Sequence, residues 1–280
     1  MGKNRLLDNP TVELALKKQP KTYWFTLLLT AFLIYLIIVS FEGSGINPYR
    51  ISQFAKNFGY MIDGFIHPDW QYFFGTGPIW EFSDSIVLAS IITIAIAFVG
   101  TALSLILAIP MGFITARNIT GKTTSKAGEV MLVFIRTFPE IVLALVLLRV
   151  FGRNGLTGAI TIAIHSTGML GKLFAESIEN VDQGVIEALD AVGANWWQKI
   201  RYGILPQVLP DFISISLYRF DINLRSSTVL GYILGIGLGV KLEFASSGPD
   251  WSKVGSVMIA IIVLISVIDY ISGKIRTRLV

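Results

Sequence analysis

Six apolar stretches constrain this 280-residue chain more than any other feature. They run from Trp24 to Phe41, Ile86 to Ile114, Val130 to Phe151, Gly158 to Phe174, Phe212 to Leu238 and Val254 to Ile271. Each is long enough, or nearly so, to cross about 30 Å of hydrocarbon as a helix rising about 1.5 Å per residue. Composition agrees: 53% of residues are hydrophobic and only 15% charged, with mean hydropathy +0.64. A soluble globular domain carries about 25% charged residues. The expected fold class is therefore an all-α, polytopic membrane protein with about six transmembrane helices. Residues 1–84 form an N-terminal segment, a first transmembrane helix and an external aromatic loop; residues 85–280 form the core.

The N-terminus does not read as a cleavable signal. A polar segment containing Lys17, Lys18 and Lys21 precedes the first apolar run, which lacks a small-residue exit site and suits a retained membrane helix. The basic residues set the orientation. Lys3, Arg5, Lys17, Lys18 and Lys21 precede the first span, and Arg117, Lys122 and Lys126 lie between the second and third. Lys199 and Arg201 lie between the fourth and fifth, and Lys274, Arg276 and Arg278 close the chain. These segments alternate, so both termini of the multi-pass chain are expected in the cytoplasm. Arg149 and Arg153 run against the rule locally, but the parity of six spans outweighs them. The formal charge of +4 then reflects cytoplasmic lysine and arginine and not nucleic acid binding.

The loop at 42–84 is acidic and aromatic, with Tyr60, Phe65, Trp70, Tyr72, Phe73, Phe74, Trp80 and Phe82. Such rings settle at headgroup depth; a contact surface for an external partner is the other reading.

A polar stretch at 177–206 interrupts the apolar chain. Val181, Val185, Leu189 and Val192 make one helical stripe, with Glu179, Asp182, Glu187 and Asp190 on other faces. Gly193 ends this helix, because glycine accepts a positive φ without strain. Asn195 caps a second, short helix carrying Trp197, Ile200 and Ile204 on one side, and Pro206 and Pro210 are expected to stop it. The product is a cytoplasmic helix–turn–helix knob. A hairpin lying on the membrane is the alternative, but its acidic faces disfavour that on anionic lipid.

Glu187-Ala188, then Gly193, then Leu205-Pro206 resemble the Glu-Ala-Ala coupling loop of binding-protein-dependent permeases. Two positions depart: Leu189 replaces the second alanine, and Gly203 stands where the family often has isoleucine. Gly203 is compatible with the phosphonate-transport permeases. The stretches Ile164–Leu173, Tyr202–Pro210, Leu217–Phe220 and Arg225–Gly231 are also similar to those permeases. The resemblance extends from about Ile86 to the C-terminus and is weak over the first 80 residues or so. It implies the permease subunit of an ATP-driven importer for phosphonate or a related phosphorus oxyanion such as phosphite, phosphate or a phosphate ester. It also implies a second permease copy (a homodimer), a dimer of cytoplasmic ATPase subunits holding ATP and Mg, and an external phosphonate-type binding protein. No cofactor is expected on this chain. Glu187, Ala188, Gly193, Leu205 and Pro206 would then form the contact with the ATPase.

Charged groups at membrane depth are costly and face a bundle interior or water. The third span holds Arg136 and Glu140 with Pro139, which is expected to kink the helix, between them, and the fifth holds Arg219, Asp221, Asn223 and Arg225. Arg136 with Glu140 and Asp221 with Arg225 are i,i+4 pairs, so mutual neutralisation stands beside a path-lining role. Arg219 has no partner on its own helix, and a guanidinium matches an oxyanion bidentately. His165, beside Ser166 and Thr167, reads either as a histidine hydrogen-bonded within the bundle or as part of the path. The candidate translocation residues are thus Arg136, Glu140, His165, Arg219, Asp221 and Arg225. Gly231, Gly235 and Gly239 repeat every four residues, a spacing that allows close helix approach.

Other chemistry is missing. There is no cysteine, hence no disulfide, thiolate zinc site or cysteine nucleophile. His67 and His165 alone build no metal site. Gly121-Lys122-Thr123 lacks the earlier glycine of a phosphate loop, because position 116 is Ala. No catalytic residue is assigned. An autonomous secondary transporter or anion channel is the alternative function, and an intramembrane enzyme built on His165 and Glu140 a weaker one.

Overall fold

The computed structural model describes residues 23–44, 48–75 and 85–278. The basic N-terminal residues and Trp80 and Phe82 of the aromatic loop lie outside the described residues. The described chain is helical and divides into two units, residues 1–58 and 59–280.

In the first unit, α1 (Tyr23–Gly43) is apolar on every side, and none of its described side chains is buried. The Thr30 hydroxyl is satisfied within the helix, because Thr30 Oγ1 donates to the Thr26 carbonyl one turn back (2.5 Å). Helix α2 (Pro48–Ile66) begins beyond it.

The second unit continues with α3 (Trp70–Phe74), α4 (Ile86–Thr115), α5 (Arg117–Thr137), α6 (Glu140–Phe151) and α7 (Gly155–Glu179). There follow α8 (Gln183–Ala191), α9 (Trp196–Gln198), a π turn (Lys199–Ile204), α10 (Leu205–Leu234), α11 (Gly237–Ser247) and α12 (Trp251–Arg276). Helix α7 is the axis of this unit, packed between α4, α10 and α5. Its buried residues include Ile162, Leu170, Phe174 and Ile178 but also Thr157, Thr161, Ser166 and Thr167. Those hydroxyls mostly turn back onto their own helix, as Thr161 Oγ1 does to the Thr157 carbonyl (2.7 Å). At one end of the bundle Phe174 stacks on Phe212 with ring centres 4.0 Å apart, over Ala108, Ile204 and Val208. At the other, Ile86 packs with Leu238 and Val257.

Among the described residues three helices, α1, α4 and α12, are each long and apolar enough to cross a bilayer alone. Two bent pairs raise that number to five. The remaining expected span, Gly158–Phe174, lies inside α7. Its 25 residues give sufficient length, about 37 Å, but its buried His, Ser and Thr lower its hydropathy.

The bends revise the sequence reading. The third span is two helices meeting at 82° across Phe138-Pro139, a sharper break than a proline kink within one helix. The fifth bends by 53° after Leu234, where Gly235 adopts φ +69°. The three glycines are therefore no stripe along one helix. Gly231 and Gly239 face each other across the break, and a Cβ on Gly239 would fall 2.0 Å from the Tyr232 nitrogen. Thr93 Oγ1 accepts from the Leu238 N–H at the start of α11 (2.9 Å), so the break leaves that donor satisfied. Pro206 and Pro210 do not stop the second arm of the loop, which runs on from Trp196 to Leu234. The intervening π turn, in which the Leu205 N–H reaches the Ile200 carbonyl, lets the helix continue past Pro206.

Candidate functional site

The loop at 177–206 folds as a helix, a sharp turn and a second helix. The first helix is shorter than the Val181–Val192 stripe suggests: α7 ends at Glu179, and α8 starts afresh after Asp182, whose carboxylate accepts from the Gly184 N–H (2.9 Å). Gly193 makes the turn with φ +78°. The Gly193 and Ala194 N–H groups close the last turn of α8 by donating to the Asp190 and Leu189 carbonyls (3.0 and 2.9 Å). Asn195 then forms a reciprocal capping box with Gln198.

Two contacts hold the arms together across the turn. Lys199 Nζ lies 2.8 Å from Asp190 Oδ1. The second involves both departures from the coupling-loop pattern. A Cβ on Gly203 would lie 2.8 Å from Leu189 Cδ1, so the larger residue on one arm occupies the space left by the smaller on the other. The base of the knob is fixed to the bundle through the Asp182 N–H, which donates to Gln207 Oε1 (2.9 Å), and through buried Val181 and Ile204. Glu187 and Ala188 stand exposed on α8, as do Leu205 and Pro206 at the start of α10. The tip is apolar: Val192 is 79% and Trp197 72% exposed. Of the side chains expected to line one side of the second arm, Ile204 is buried and Trp197 is not.

The six candidate path residues separate into two groups. Neither expected i,i+4 pair forms. The break at Phe138-Pro139 puts Arg136 and Glu140 on different helices. Asp221 instead pairs with Arg276 (3.2 Å), and Arg225 grips both oxygens of Asp269 (2.6 and 2.8 Å), so each reaches across to α12.

Of the other four, His165 and Arg219 meet directly, Arg136 packs on α7 beside Gly168, and Glu140 reaches α10. Arg219 is only 5% exposed. Its Nε donates to Ser166 Oγ (3.0 Å), its Nη1 to Met169 Sδ (3.1 Å), and its Nη2 lies 3.1 Å from His165 Nδ1. The chain of donors continues: Ser166 Oγ donates to Asn223 Oδ1 (3.0 Å), and Asn223 Nδ2 to Thr101 Oγ1 (2.9 Å). Helices α4, α7 and α10 are thereby linked through buried polar groups, each satisfied by the next. Glu140 Oε2 accepts from Ser226 Oγ (2.9 Å), while its Oε1 is buried without a partner among the described residues. Arg136 is exposed and makes no hydrogen bond or salt bridge among the described residues. With neutral histidine, two arginines against one glutamate leave one positive charge uncompensated. The roles of Met169, Asn223 and Thr101 were not legible in sequence, because their partners are 50 to 122 residues away. Among the described residues no cluster of three potential metal ligands occurs.

The chain belongs to the family of binding-protein-dependent transport system inner membrane components, which matches residues 108–279. The phosphate-import permease protein PhnE of Mycolicibacterium smegmatis is 36% identical over 189 residues, covering 67% of this chain and 36% of that one. The phosphite transport system permease protein PtxC of Stutzerimonas stutzeri is 32% identical over 66% of this chain and 67% of its own length. A putative cryptic phosphonate transport system permease protein, PhnE2, of Escherichia coli is 43% identical over 42% of this chain and 96% of its own. The matched part thus spans about a third of the first of these relatives and two thirds of the second. Among solved structures, the inward-facing MetNI methionine ABC transporter matches with a TM-score of 0.61 at 18% identity, over 70% of this chain and 96% of that chain. That likeness establishes the shared fold.

Proposed function

We propose that this chain is the permease subunit of an ATP-binding-cassette importer and forms the passage for a small phosphorus oxyanion. The family match over residues 108–279 carries the reading. Relatives named for phosphate, phosphite and phosphonate support the substrate class, and the uncompensated positive charge of the Arg136–Glu140–His165–Arg219 cluster favours an anion. The passage site binds its solute weakly, because tight binding would prevent release.

In this reading the chain sits in the bacterial inner membrane with both termini in the cytoplasm. It pairs with a second copy and receives solute from an external binding protein. ATP and Mg bind to a separate dimeric ATPase, which grips the 177–206 knob at Glu187, Ala188 and the Gly193 turn. Leu205 and Pro206 pass the motion into α10. A knob capped at both helices, cross-linked by Lys199 and Asp190 and anchored at its base transmits a push that a flexible loop would absorb.

Reconstitution into liposomes with the ATPase and the external receptor tests the assignment. ATP-dependent accumulation of inorganic phosphate, phosphite or methylphosphonate is the expected result. Equal uptake by this chain alone, without ATPase, would establish an autonomous transporter instead.

A further inference from the structure

The cluster holds two arginines, and their positions give them different tasks. Arg219 spends a nitrogen on each of Ser166, Met169 and His165. It is buried and has no open fork to offer an oxyanion. Its contact with His165 has a consequence. A guanidinium only donates, so Nδ1 of His165 accepts, and the neutral imidazole carries its proton on Nε2. That Nε2 makes no hydrogen bond among the described residues, and His165 is only half-buried.

Arg136 is the complementary case. It is exposed and unpaired at the end of α5, where the chain breaks at Pro139. Its stem crosses α7 at Gly168, where a Cβ would lie 2.7 Å from Arg136 Cγ. Gly168 is three residues after His165, so the two positions are neighbours on one face of α7. A guanidinium within an apolar span faces water or protein and not lipid. Arg136 and His165 thus lie at neighbouring positions along α7, one exposed and one half-buried, and together supply one full charge and one neutral donor.

We propose that Arg136 and His165 Nε2–H together make the contact with the oxyanion in transit, and that Arg219 is a positioning residue that fixes the histidine tautomer. The inference rests on the importer reading given above. A charge and a neutral N–H suit two oxygens of one phosphorus centre, and one mobile arginine in place of two fixed ones keeps the contact weak enough for release.

The test uses the assembled complex in liposomes, with labelled inorganic phosphate and phosphite as probes and ATP hydrolysis measured in parallel. If the wild-type complex accumulates neither, the importer reading fails and not this inference alone. Given wild-type uptake, Arg136→Gln and His165→Ala should each lower it about tenfold, the loss of one charge-assisted or specific hydrogen bond. Co-purification of the ATPase should persist. His165→Gln retains a neutral N–H donor and should stay within about threefold of wild type. Arg219→Gln should lower uptake in the wild-type background and by less in His165→Ala, where its contact with the histidine is already gone. Unchanged uptake in Arg136→Gln, equal losses in His165→Ala and His165→Gln, additive losses with Arg219→Gln, or loss of ATPase co-purification in Arg136→Gln would each overturn it.

Discussion

At the scale of single residues, Leu189 and Gly203 show how departures from a pattern can be one exchange. Read separately, each weakens the match to the coupling loop; in the fold they are partners across the turn. Gly203→Ile should overfill the site and destabilise the chain by about 1–3 kcal/mol. Adding Leu189→Ala should recover most of that loss. Thermal unfolding of the detergent-purified chain measures both, and additive losses would show that the two positions do not compensate. This coupling was not legible in sequence, because α-helical spacing says nothing about which residues meet across a turn. The same blindness affected the charges. Asp221 and Arg225 look like an i,i+4 pair until α12 is beside them; Arg276 and Asp269 then supply closer partners. Arg219 was rightly seen to lack a partner on its own helix. Its partners His165, Ser166 and Met169 sit on α7, 50 to 54 residues earlier.

At the scale of elements, hydropathy located the apolar segments well, because burial in lipid or core requires long apolar runs whatever the tertiary detail. It located breaks poorly. Pro139 did mark one, but nothing in its neighbourhood specifies an 82° bend. Gly235 was read as packing material and proves to be a corner. Pro206 was read as a stop and is passed by a π turn. The knob was legible at its tip, where Gly193 and Asn195 have local, backbone-level causes, and less so at its base, where Asp182 restarts the helix. Because Gly193 has φ +78°, Gly193→Ala should cost about 1–2 kcal/mol, with Gly193→Asn milder. Loss of the turn should also weaken capture of the ATPase. A pull-down from membranes expressing the importer subunits reads this directly, and undiminished capture by Gly193→Ala would separate the turn from the contact.

For the whole molecule, sidedness is the property on which the importer assignment depends, and the sequence makes it easy to measure. The chain contains no cysteine, so single reporters can be placed without a background. Val192 and Phe244 are both exposed, the first at the tip of the knob and the second on α11. In right-side-out vesicles, Phe244→Cys should react with a membrane-impermeant maleimide at once, and Val192→Cys only after the membrane is opened. Reaction of both from outside would place the knob away from any cytoplasmic motor.

The bonded line from Arg219 through Ser166 and Asn223 to Thr101 ties three helices through side chains no more than 5% exposed. Breaking it during every cycle would strand several buried donors at once, each costing about 1–3 kcal/mol. A working stroke that spares this line must carry α4, α7 and α10 as one block. The give then falls at the corners Phe138-Pro139 and Gly235-Ile236. In mechanical terms these three helices are a solid hub with two knuckles, and spin labels paired across a knuckle should report distance changes that pairs within the hub do not.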